Sequence, residues 1–371
     1  MSGERVWLKR FSARDFRNFE RLDLELPESG LAIIGENGQG KTNLLEGIYY
    51  LQVLRSVRGA RDQDLVRFGA RAFHISATAD TSGSREIGVG FEAAGRKKKV
   101  VLDGAPASRL SDAFGSLPSV MFSPRDIELI GGGPAERRRY IDLVLALSSR
   151  RYLASLQTYR AALARRNAAL RESARTGDDS AVAVWEPALA EHGAVLIRER
   201  SEWVSARAPE FSRLSAAIGE AGEPRMAYQS AIAREPDVRV ALEAAFARQR
   251  KHDMRRGVTH SGPHRDDLSF SLDGKDLRVF GSAGQQRTAA IALRMLEGAT
   301  LREARKQAPV LLLDDPFAEL DVRRSGRILG LLESAGLGQT ILMVPRASDI
   351  PPELIGLERR SIHAGVVEQA A

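Results

Sequence analysis

The 371-residue sequence contains no cysteine, which excludes disulfide bonds and thiolate-ligated metal sites. No apolar run reaches the roughly 18 residues that a membrane-spanning helix needs. Residues 1–11 lack the apolar middle segment of a secretion signal. There is no internal repeat and no low-complexity tract. These absences favour a protein of the reducing cytoplasm that has no membrane partner.

The sequence is moderately basic. It has 55 Lys and Arg against 48 Asp and Glu, a net charge of +7. An excess of this size weakly favours polyanionic partners, although many proteins that bind no nucleic acid are equally basic. The length suits two or three domains.

The pattern of secondary-structure signals predicts an α/β domain interrupted by a helical insertion. Short alternating or apolar segments predict strands in the first hundred residues, and strands alternating with helices return after residue 256. Between them, residues 150–171 and 185–203 carry apolar residues at helical spacing on either side of a turn signal. Two such helices predict an antiparallel hairpin, a short coiled-coil arm.

The predicted domains follow this pattern. Residues 1–120 form the N-terminal part of the α/β head, residues 121–256 a helical second lobe or arm, and residues 257–371 the C-terminal part of the head.

The stretch GENGQGKT at residues 35–42 matches the phosphate-loop pattern, with an apolar segment before it and a helical segment after it. Glycines let backbone N–H groups turn towards phosphate oxygens, and the helix N-terminus adds partial positive charge. Chance produces the pattern in roughly one of a hundred chains of this length, so the context carries the prediction. The predicted nucleotide-binding residues are Gly35, Glu36, Asn37, Gly38, Gln39, Gly40, Lys41 and Thr42.

An apolar run at residues 310–313 ends in Asp314 and Asp315. In phosphoryl-transfer sites, a lysine of the loop contacts the β- and γ-phosphates, while a hydroxyl and a carboxylate hold Mg²⁺. We therefore expect Lys41 on the phosphates and Mg²⁺ between Thr42 and Asp314. Asp315 is expected to orient or deprotonate the attacking water, so that Lys41, Asp314 and Asp315 form the catalytic set. The alternative is a buried strand that stops at the turn Asp315-Pro316.

The stretch GSAGQ at residues 281–285 opens a long predicted helix and resembles the signature loop of ABC-type ATPases. There, Ser282 and the amide of Gly284 can form an anion site at a helix N-terminus. The resemblance implies that Ser282, Gly284 and Gln285 contact the nucleotide of the opposite protomer. The alternative is a helix cap with Ser282 as the N-cap. Residues 316–321 resemble the dimer-contacting loop of the same ATPases, which implies contacts from Glu319 and Asp321.

About 240 residues separate the phosphate loop from the signature loop, as in the chromosome-maintenance and recombination ATPases rather than in transporters. Further stretches resemble the RecF family in order and over nearly the whole chain: DFRNF at 15–19, FSPRD at 122–126, RRRYID at 137–142 and THSGPHRDD at 259–267. The chain is therefore identified as a member of the RecF family, an ABC-type ATPase family with short arms.

This resemblance implies an ABC-type ATPase head with a helical second lobe and a slow ATPase that uses ATP and Mg²⁺. It implies a homodimer on ATP binding, and hydrolysis coupled to release of the dimer and of DNA. The DNA would be double-stranded, gapped or single-stranded. RecO and RecR would be partners in loading RecA during replication, repair, recombination and the SOS response. The alternatives are an ATPase subunit of a transporter or of another chromosome-maintenance complex, and a scaffold that uses ATP only to hold two chains together.

One position departs from the family pattern. ABC-type ATPases usually carry a switch histidine after the strand at residues 340–344, and RecF-like chains carry Thr or Ser there. Val344 and Pro345 offer neither group, so the sequence does not identify the residue that senses the γ-phosphate, and it gives only weak support to Arg346.

Other features have structural explanations. Gly262-Pro263 separates His260 from His264, so the two cannot share a helical face as metal ligands do, and we predict no zinc site. The basic stretch 95–99 is either a contact to DNA phosphates or a solvated hairpin tip. Trp185 and Trp203 are expected in the core of the arm rather than stacked on bases.

Overall fold

The computed structural model describes residues 5–317, 322–334, 336 and 338–370. The chain divides into two compact units. The first comprises Met1–Asp126 and Leu293–Ala371, and the second comprises Ile127–Ala292.

Within the described residues the strands are β1 (Trp7–Phe16), β2 (Phe19–Glu25), β3 (Gly30–Ile34), β4 (Ala72–Asp80), β5 (Ser84–Glu92), β6 (Lys97–Leu102), β7 (Ala105–Pro106), β8 (Ser119–Phe122), β9 (Pro224–Gln229), β10 (Asp267–Leu272), β11 (Lys275–Asp276), β12 (Val310–Asp314), β13 (Thr340–Val344), β14 (Glu358–His363) and β15 (Val366–Gln369). The helices are α1 (Lys41–Val53), α2 (Leu110–Ala113), α3 (Glu128–Gly131), α4 (Pro134–Ser148), α5 (Arg150–Thr176), α6 (Ser180–Ala183), α7 (Glu186–Ile218), α8 (Val238–Arg256), α9 (Leu277–Phe280), α10 (Ala283–Arg305) and α11 (Val322–Ser334).

The first unit contains two six-stranded sheets. One is antiparallel, in the order β2-β1-β4-β5-β6-β7, and its strands alternate buried and exposed residues as expected for a sheet with one solvated face. The other has the order β15-β14-β3-β13-β12-β8 and is parallel except for the β14–β15 hairpin. Strands β12 and β13 are buried at every residue, which explains why they read as continuous apolar runs.

Helix α1 contacts strands of both sheets, β4 in the antiparallel one and β8 and β12 in the parallel one. Eleven of its 13 residues are buried, so the helix is apolar on nearly all sides. Its N-terminus is thereby held at the carboxyl end of the parallel sheet, the edge at which ligands bind in such folds.

The second unit is mainly helical. Helices α5 and α7 form the predicted antiparallel pair, and α8 packs against both. The fully buried Arg166 of α5 joins the three helices, with its guanidinium 2.9 Å from Glu186 of α7 and 2.8 Å from Asp253 of α8. Trp203 is buried as expected, with its ring edge-on to Tyr140.

Residues 257–292 lie in the second unit, whereas the sequence pattern assigned them to the head. The physical reason is strand pairing: β10 pairs antiparallel with β9, and β11 extends this three-stranded sheet. A strand flanked by helices looks the same in sequence whichever sheet it joins.

None of the helices built from described residues is long and apolar enough to cross a membrane.

Candidate functional site

The phosphate-loop residues connect β3 directly to α1. Gly38 and Gly40 have φ angles of 84° and 117°, in the region that favours glycine. A Cβ on Gly40 would lie 2.6 Å from the side-chain nitrogen of Asn18. A Cβ on Gly35 would lie 2.6 Å from the carbonyl oxygen of Ile362. Close neighbours therefore require glycine at residues 35 and 40, and the left-handed backbone is a second requirement at residue 40.

Lys41 is buried at the start of α1, with 7% of the residue exposed. Its ammonium group donates hydrogen bonds to the carbonyl oxygens of Gly35 and Glu36, the latter at 2.9 Å. Burial lowers the pKa of Lys41, and the negative charges of Asp314 and Asp315 act against that shift. The ammonium therefore lies inside the loop, where phosphate oxygens can replace the two carbonyl acceptors.

Thr42 and Asp314 are 272 residues apart in sequence and in direct contact in space. The Thr42 hydroxyl lies 3.0 Å and 3.2 Å from the two carboxylate oxygens of Asp314. They meet because β3 and β12 both pair in parallel with β13, so that the carboxyl ends of the three strands share one edge. Burial raises the pKa of Asp314, as does the neighbouring charge of Asp315, while the Thr42 hydrogen bond and Lys41 lower it. A hydroxyl and a carboxylate are hard oxygen donors, which fit Mg²⁺.

Asp315 follows β12 with a φ of 45°, a left-handed conformation that is uncommon for a residue with a Cβ. Its N–H donates to the carbonyl of Met343, 3.0 Å away. Asp315 lines a cavity of about 420 Å³ together with Lys41, Thr42 and Asp314. This volume lies in the range of small-molecule sites. The four side chains assigned to catalysis and metal binding therefore surround one space.

Two asparagines next to the phosphate loop escaped the sequence analysis as site residues. Asn18 donates to the carbonyl of Gln39 at 3.1 Å and accepts from Asn43 at 2.8 Å. Asn18 belongs to the DFRNF stretch, which the sequence analysis used only for family resemblance. Gln39 is also held from the other side: its side-chain oxygen accepts from the N–H of Ala364 at 2.7 Å, in the β14–β15 turn.

Arg17 and Arg58 were missed as well. Arg17 forms two hydrogen bonds, of 2.9 Å and 3.1 Å, to Glu46, a fully buried carboxylate of α1. Arg58 lines the same cavity as Lys41 and donates to Asn43 at 3.2 Å. Arg58 lies outside every motif, so only the tertiary structure brings this second cation to the phosphate-loop cavity.

The signature-loop residues lie in the second unit, at the start of α10. Ser282 is exposed; its hydroxyl accepts from the N–H of Gln285 at 3.3 Å, and its own N–H donates to the Gln285 side chain at 2.9 Å. The loop thus has the local geometry of a helix cap, which leaves a role towards a second chain open. Gly284 lies between them in the same turn. Glu319 and Asp321 lie outside the described residues.

Arg346 does not line the phosphate-loop cavity; its guanidinium pairs with Asp349 at 3.2 Å and 3.3 Å. The end of strand β13, just before Arg346, contacts the start of the phosphate loop, because the Val344 carbonyl accepts a hydrogen bond from the N–H of Gly35 at 3.2 Å. In this structure the Arg346 guanidinium is therefore bound to a carboxylate of its own loop.

The two histidines of the second unit have different partners. His260 lies 2.8 Å from Asp253, whereas His264 contacts the Tyr159 hydroxyl at 2.6 Å and the Thr259 carbonyl at 3.0 Å. Among the described residues no group of three or more side chains could hold a metal ion through His, Cys, Asp or Glu.

The chain matches the model of the RecF/RecN/SMC N terminal domain over residues 7–348. It is 35% identical over 338 residues to the DNA replication and repair protein RecF of Agathobacter rectalis, covering 90% of this chain and 91% of that protein. The RecF of Acidothermus cellulolyticus is 36% identical over 377 residues, covering 98% and 100% of the two chains.

A solved structure of the recombination mediator protein RecF-ATP in the RecFOR pathway has a TM-score of 0.90 and 29% identity, covering 100% of this chain and 99% of that one. The Smc head domain of Pyrococcus furiosus bound to the C-terminal domain of ScpA has a TM-score of 0.57 at 17% identity, covers 98% of this chain and 95% of that one, and shares the fold alone. The predicted α/β fold of ABC-type ATPase heads is confirmed by these likenesses.

Proposed function

The chain belongs to the RecF family of ATPases, and we propose that it is an ATP-switched, DNA-binding protein of recombination and repair. The observation that carries this proposal is the convergence of Lys41, Thr42, Asp314 and Asp315 on one cavity. Phosphoryl-transfer sites use a lysine on the phosphates, a hydroxyl and a carboxylate on Mg²⁺ and a group that acts on water, and these four residue types support assigning those roles here.

ATP binds with its phosphates over the backbone N–H groups of residues 35–42. The Lys41 ammonium exchanges the carbonyl oxygens of Gly35 and Glu36 for phosphate oxygens. This exchange needs no large movement, because the ammonium already lies within the loop. Asp315 then orients the attacking water or takes its proton.

Thr42 and Asp314 would hold Mg²⁺, which when bound neutralises phosphate charge. The two side chains already lie within 3.0 Å of each other, so the oxygen donors are arranged before the ion binds. The raised pKa of Asp314 reflects a buried carboxylate that a cation would stabilise in its charged form.

The composite site is completed by a second copy of the chain. Ser282, Gly284 and Gln285 contact the nucleotide of the opposite protomer, and Glu319 and Asp321 lie in the dimer contact. The ATP-bound homodimer binds duplex and gapped DNA, and slow hydrolysis releases both the dimer and the DNA. RecO and RecR are partners in loading RecA, and the protein acts in the cytoplasm. The names of the similar proteins support the role in DNA replication, repair and recombination and the connection with the RecFOR pathway.

The test uses two variants that disable opposite halves of the site. Lys41→Met should abolish ATP binding. Ser282→Arg should leave ATP binding to the monomer nearly unchanged and abolish ATP-induced dimerisation, because a bulky cation replaces a small hydroxyl where two protomers close. Sedimentation with and without ATP measures both effects. Ser205→Arg, on an exposed position of α7, is the matched control and should dimerise normally.

Mixing the two defective chains sharpens the result. A heterodimer of Lys41→Met and Ser282→Arg contains one site with both defects and one with neither, so partial ATPase activity should return. If Lys41→Met binds ATP like the wild type, the phosphate-loop assignment is wrong. If mixing restores nothing although heterodimers form, the two-chain site is wrong.

A further inference from the structure

Phe68 is fully exposed, with a relative accessibility of 100%. It lies on the turn between Arg67 and Ala70, closed by a 2.9 Å backbone hydrogen bond. The turn is tied to β1, since the N–H of Arg67 donates to the carbonyl of Asp15 at 2.8 Å and the Arg67 side chain contacts the Asp15 carboxylate at 2.8 Å. The protein therefore holds a large aromatic ring in solvent on an anchored turn.

A line of basic residues crosses the solvated face of the antiparallel sheet beside this turn. Arg21, Arg14 and His74 are direct cross-strand partners on β2, β1 and β4, and the line continues through Gly90 of β5 to Lys99 of β6. Direct partners share one face of a sheet, and all four side chains are exposed. We call Arg21, Arg14, His74 and Lys99 the cationic row.

The cationic row is long enough to follow a nucleic-acid strand. Four inter-strand spacings of about 4.8 Å give a length of about 19 Å, or about five to six steps of 3.4 Å along one DNA strand. The imidazole of His74 is exposed at its edge but partly desolvated by its neighbours in the sheet, and this lowers its pKa against the effect of Glu86, so most of the positive charge comes from the two arginines and the lysine. Gly90 has no side chain, so the surface between His74 and Lys99 is open to a ligand.

Arg21 interacts with the carboxylate of Asp23 and His74 with that of Glu86, so the uncompensated charges of this row are those of Arg14 and Lys99. Arg14 lies directly opposite Arg21, an arrangement that destabilises a sheet without an anion. Among the residues that the structure describes, neither Arg14 nor Lys99 has an ion-pair or hydrogen-bond partner for its side chain.

The row borders a groove of about 540 Å³ that Arg14, Arg21, Arg67 and His74 all line. Its carboxylates are engaged by other arginines. Asp15 and Glu20 pair with Arg67, and Asp23 pairs with Arg10. The arginine before Phe68 thus forms one wall of the groove, while Arg14 remains available to a ligand.

We infer that this surface binds the junction between duplex and single-stranded DNA: the cationic row contacts phosphates, and Phe68 stacks on an unpaired base. Proteins bind single strands by combining a positively charged groove with aromatic side chains that stack on bases, and here Phe68 can stack on one base. A protein partner would need a contiguous apolar patch, and the neighbours of Phe68 in sequence are Arg67 and Gly69. The inference rests on the proposed function, because it takes DNA as the partner.

The test compares an intact duplex with the same duplex carrying a single-strand gap. Binding of the full-length protein with ATP and Mg²⁺ is measured by fluorescence anisotropy over a range of salt concentrations. Phe68→Ala should weaken binding to gapped DNA by about 5- to 150-fold and leave binding to intact duplex unchanged. Phe68→Trp should retain the preference for the gap, because the larger ring also stacks.

Substitutions in the cationic row should affect DNA binding differently from substitutions of Phe68. Arg14→Ala and Lys99→Ala should each weaken binding to both DNAs and lower the salt slope by about one, since each removes one phosphate contact. Ile355→Ala is the control, as another apolar side chain of the first unit that is 64% exposed. It should bind both DNAs like the wild type.

Two results would overturn the inference while leaving the proposed function intact. One is a wild-type preference for gapped DNA that Phe68→Ala retains. The other is a loss of RecR binding by Phe68→Ala with unchanged DNA binding, which would make the turn a protein contact. A wild-type protein that binds neither DNA in the presence of ATP would overturn the proposed function as well.

Discussion

His264 should make the second unit sensitive to acid. Its Nε2 lies 3.0 Å from the Thr259 carbonyl and must carry hydrogen to donate, so Nδ1 accepts the hydrogen bond of the Tyr159 hydroxyl at 2.6 Å. In this arrangement the ring is neutral. Burial lowers the pKa of His264 to about 4, and the neighbouring charges of Arg265 and Arg138 act in the same direction.

The direction of the pH dependence of stability follows from the difference in the pKa of His264 between the folded and the unfolded chain. The unfolded chain takes up the proton near the ordinary pKa of about 6.5, before the folded protein does. The stability that neutral His264 provides is therefore present above about pH 6.5 and is lost as the pH falls towards about 4. With these two pKa values, the free energy of unfolding should fall by about 2 kcal/mol between about pH 7 and pH 5.

Urea unfolding followed by tryptophan fluorescence measures this loss, because Trp185 and Trp203 both lie in the second unit. His264→Gln can still donate to Thr259 and accept from Tyr159 but cannot titrate. The stability difference between the wild type and this variant should shrink by about 2 kcal/mol over the same pH range. Equal pH slopes in the wild type and His264→Gln would refute the reasoning.

Three further outcomes are expected. Asp315→Asn should bind ATP with Mg²⁺ and lower single-turnover hydrolysis by about 100-fold or more, whereas Asp314→Asn should mainly weaken the Mg²⁺ dependence of ATP binding; equal, mild effects would favour a purely structural strand end. Arg17→Met should lower the free energy of unfolding by about 1–3 kcal/mol in chemical denaturation, because it removes both Arg17 hydrogen bonds from the buried carboxylate of Glu46 and leaves it only Ser56 and the more distant Arg58, at 3.8 Å; an unchanged stability would contradict that account. Asn18→Ala should weaken ATP binding by about 5- to 30-fold in a titration, with little change in the hydrolysis rate of bound ATP, because it frees the phosphate loop without touching the acids.

Local patterns in the sequence were sufficient for the parts of the site that depend on backbone conformation. The phosphate loop at residues 35–42 joins β3 to α1, and the acid pair follows the buried strand β12, as the pattern predicts. These features can be read locally because glycines, a helix start and an apolar run each act over a few residues. The family resemblance also came from such stretches, and the comparisons confirm it.

The order of strands in space was decided only by the tertiary structure. Residues 257–292 were assigned to the head because their strand and helix signals alternate as they do in the rest of the head. In the structure, however, β10 pairs with β9 in the second unit. The antiparallel pair α5 and α7 was predicted, but its packing against α8 was not. Strand and helix signals carry no information about which distant partner will complete the hydrogen-bonding edge or cover the apolar face.

The sequence by itself predicted which residues bind a nucleotide, because Lys41, Thr42 and Asp314 are recognisable by residue type and by the strand or helix next to them. Tertiary structure decided that Thr42 and Asp314 touch across 272 residues, that Arg58 reaches the same cavity, and that Asn18 holds the loop. The reason is physical: a phosphate cradle is made by consecutive backbone N–H groups, whereas the side chains around it come from separate strands and turns whose ends meet only when the sheets form.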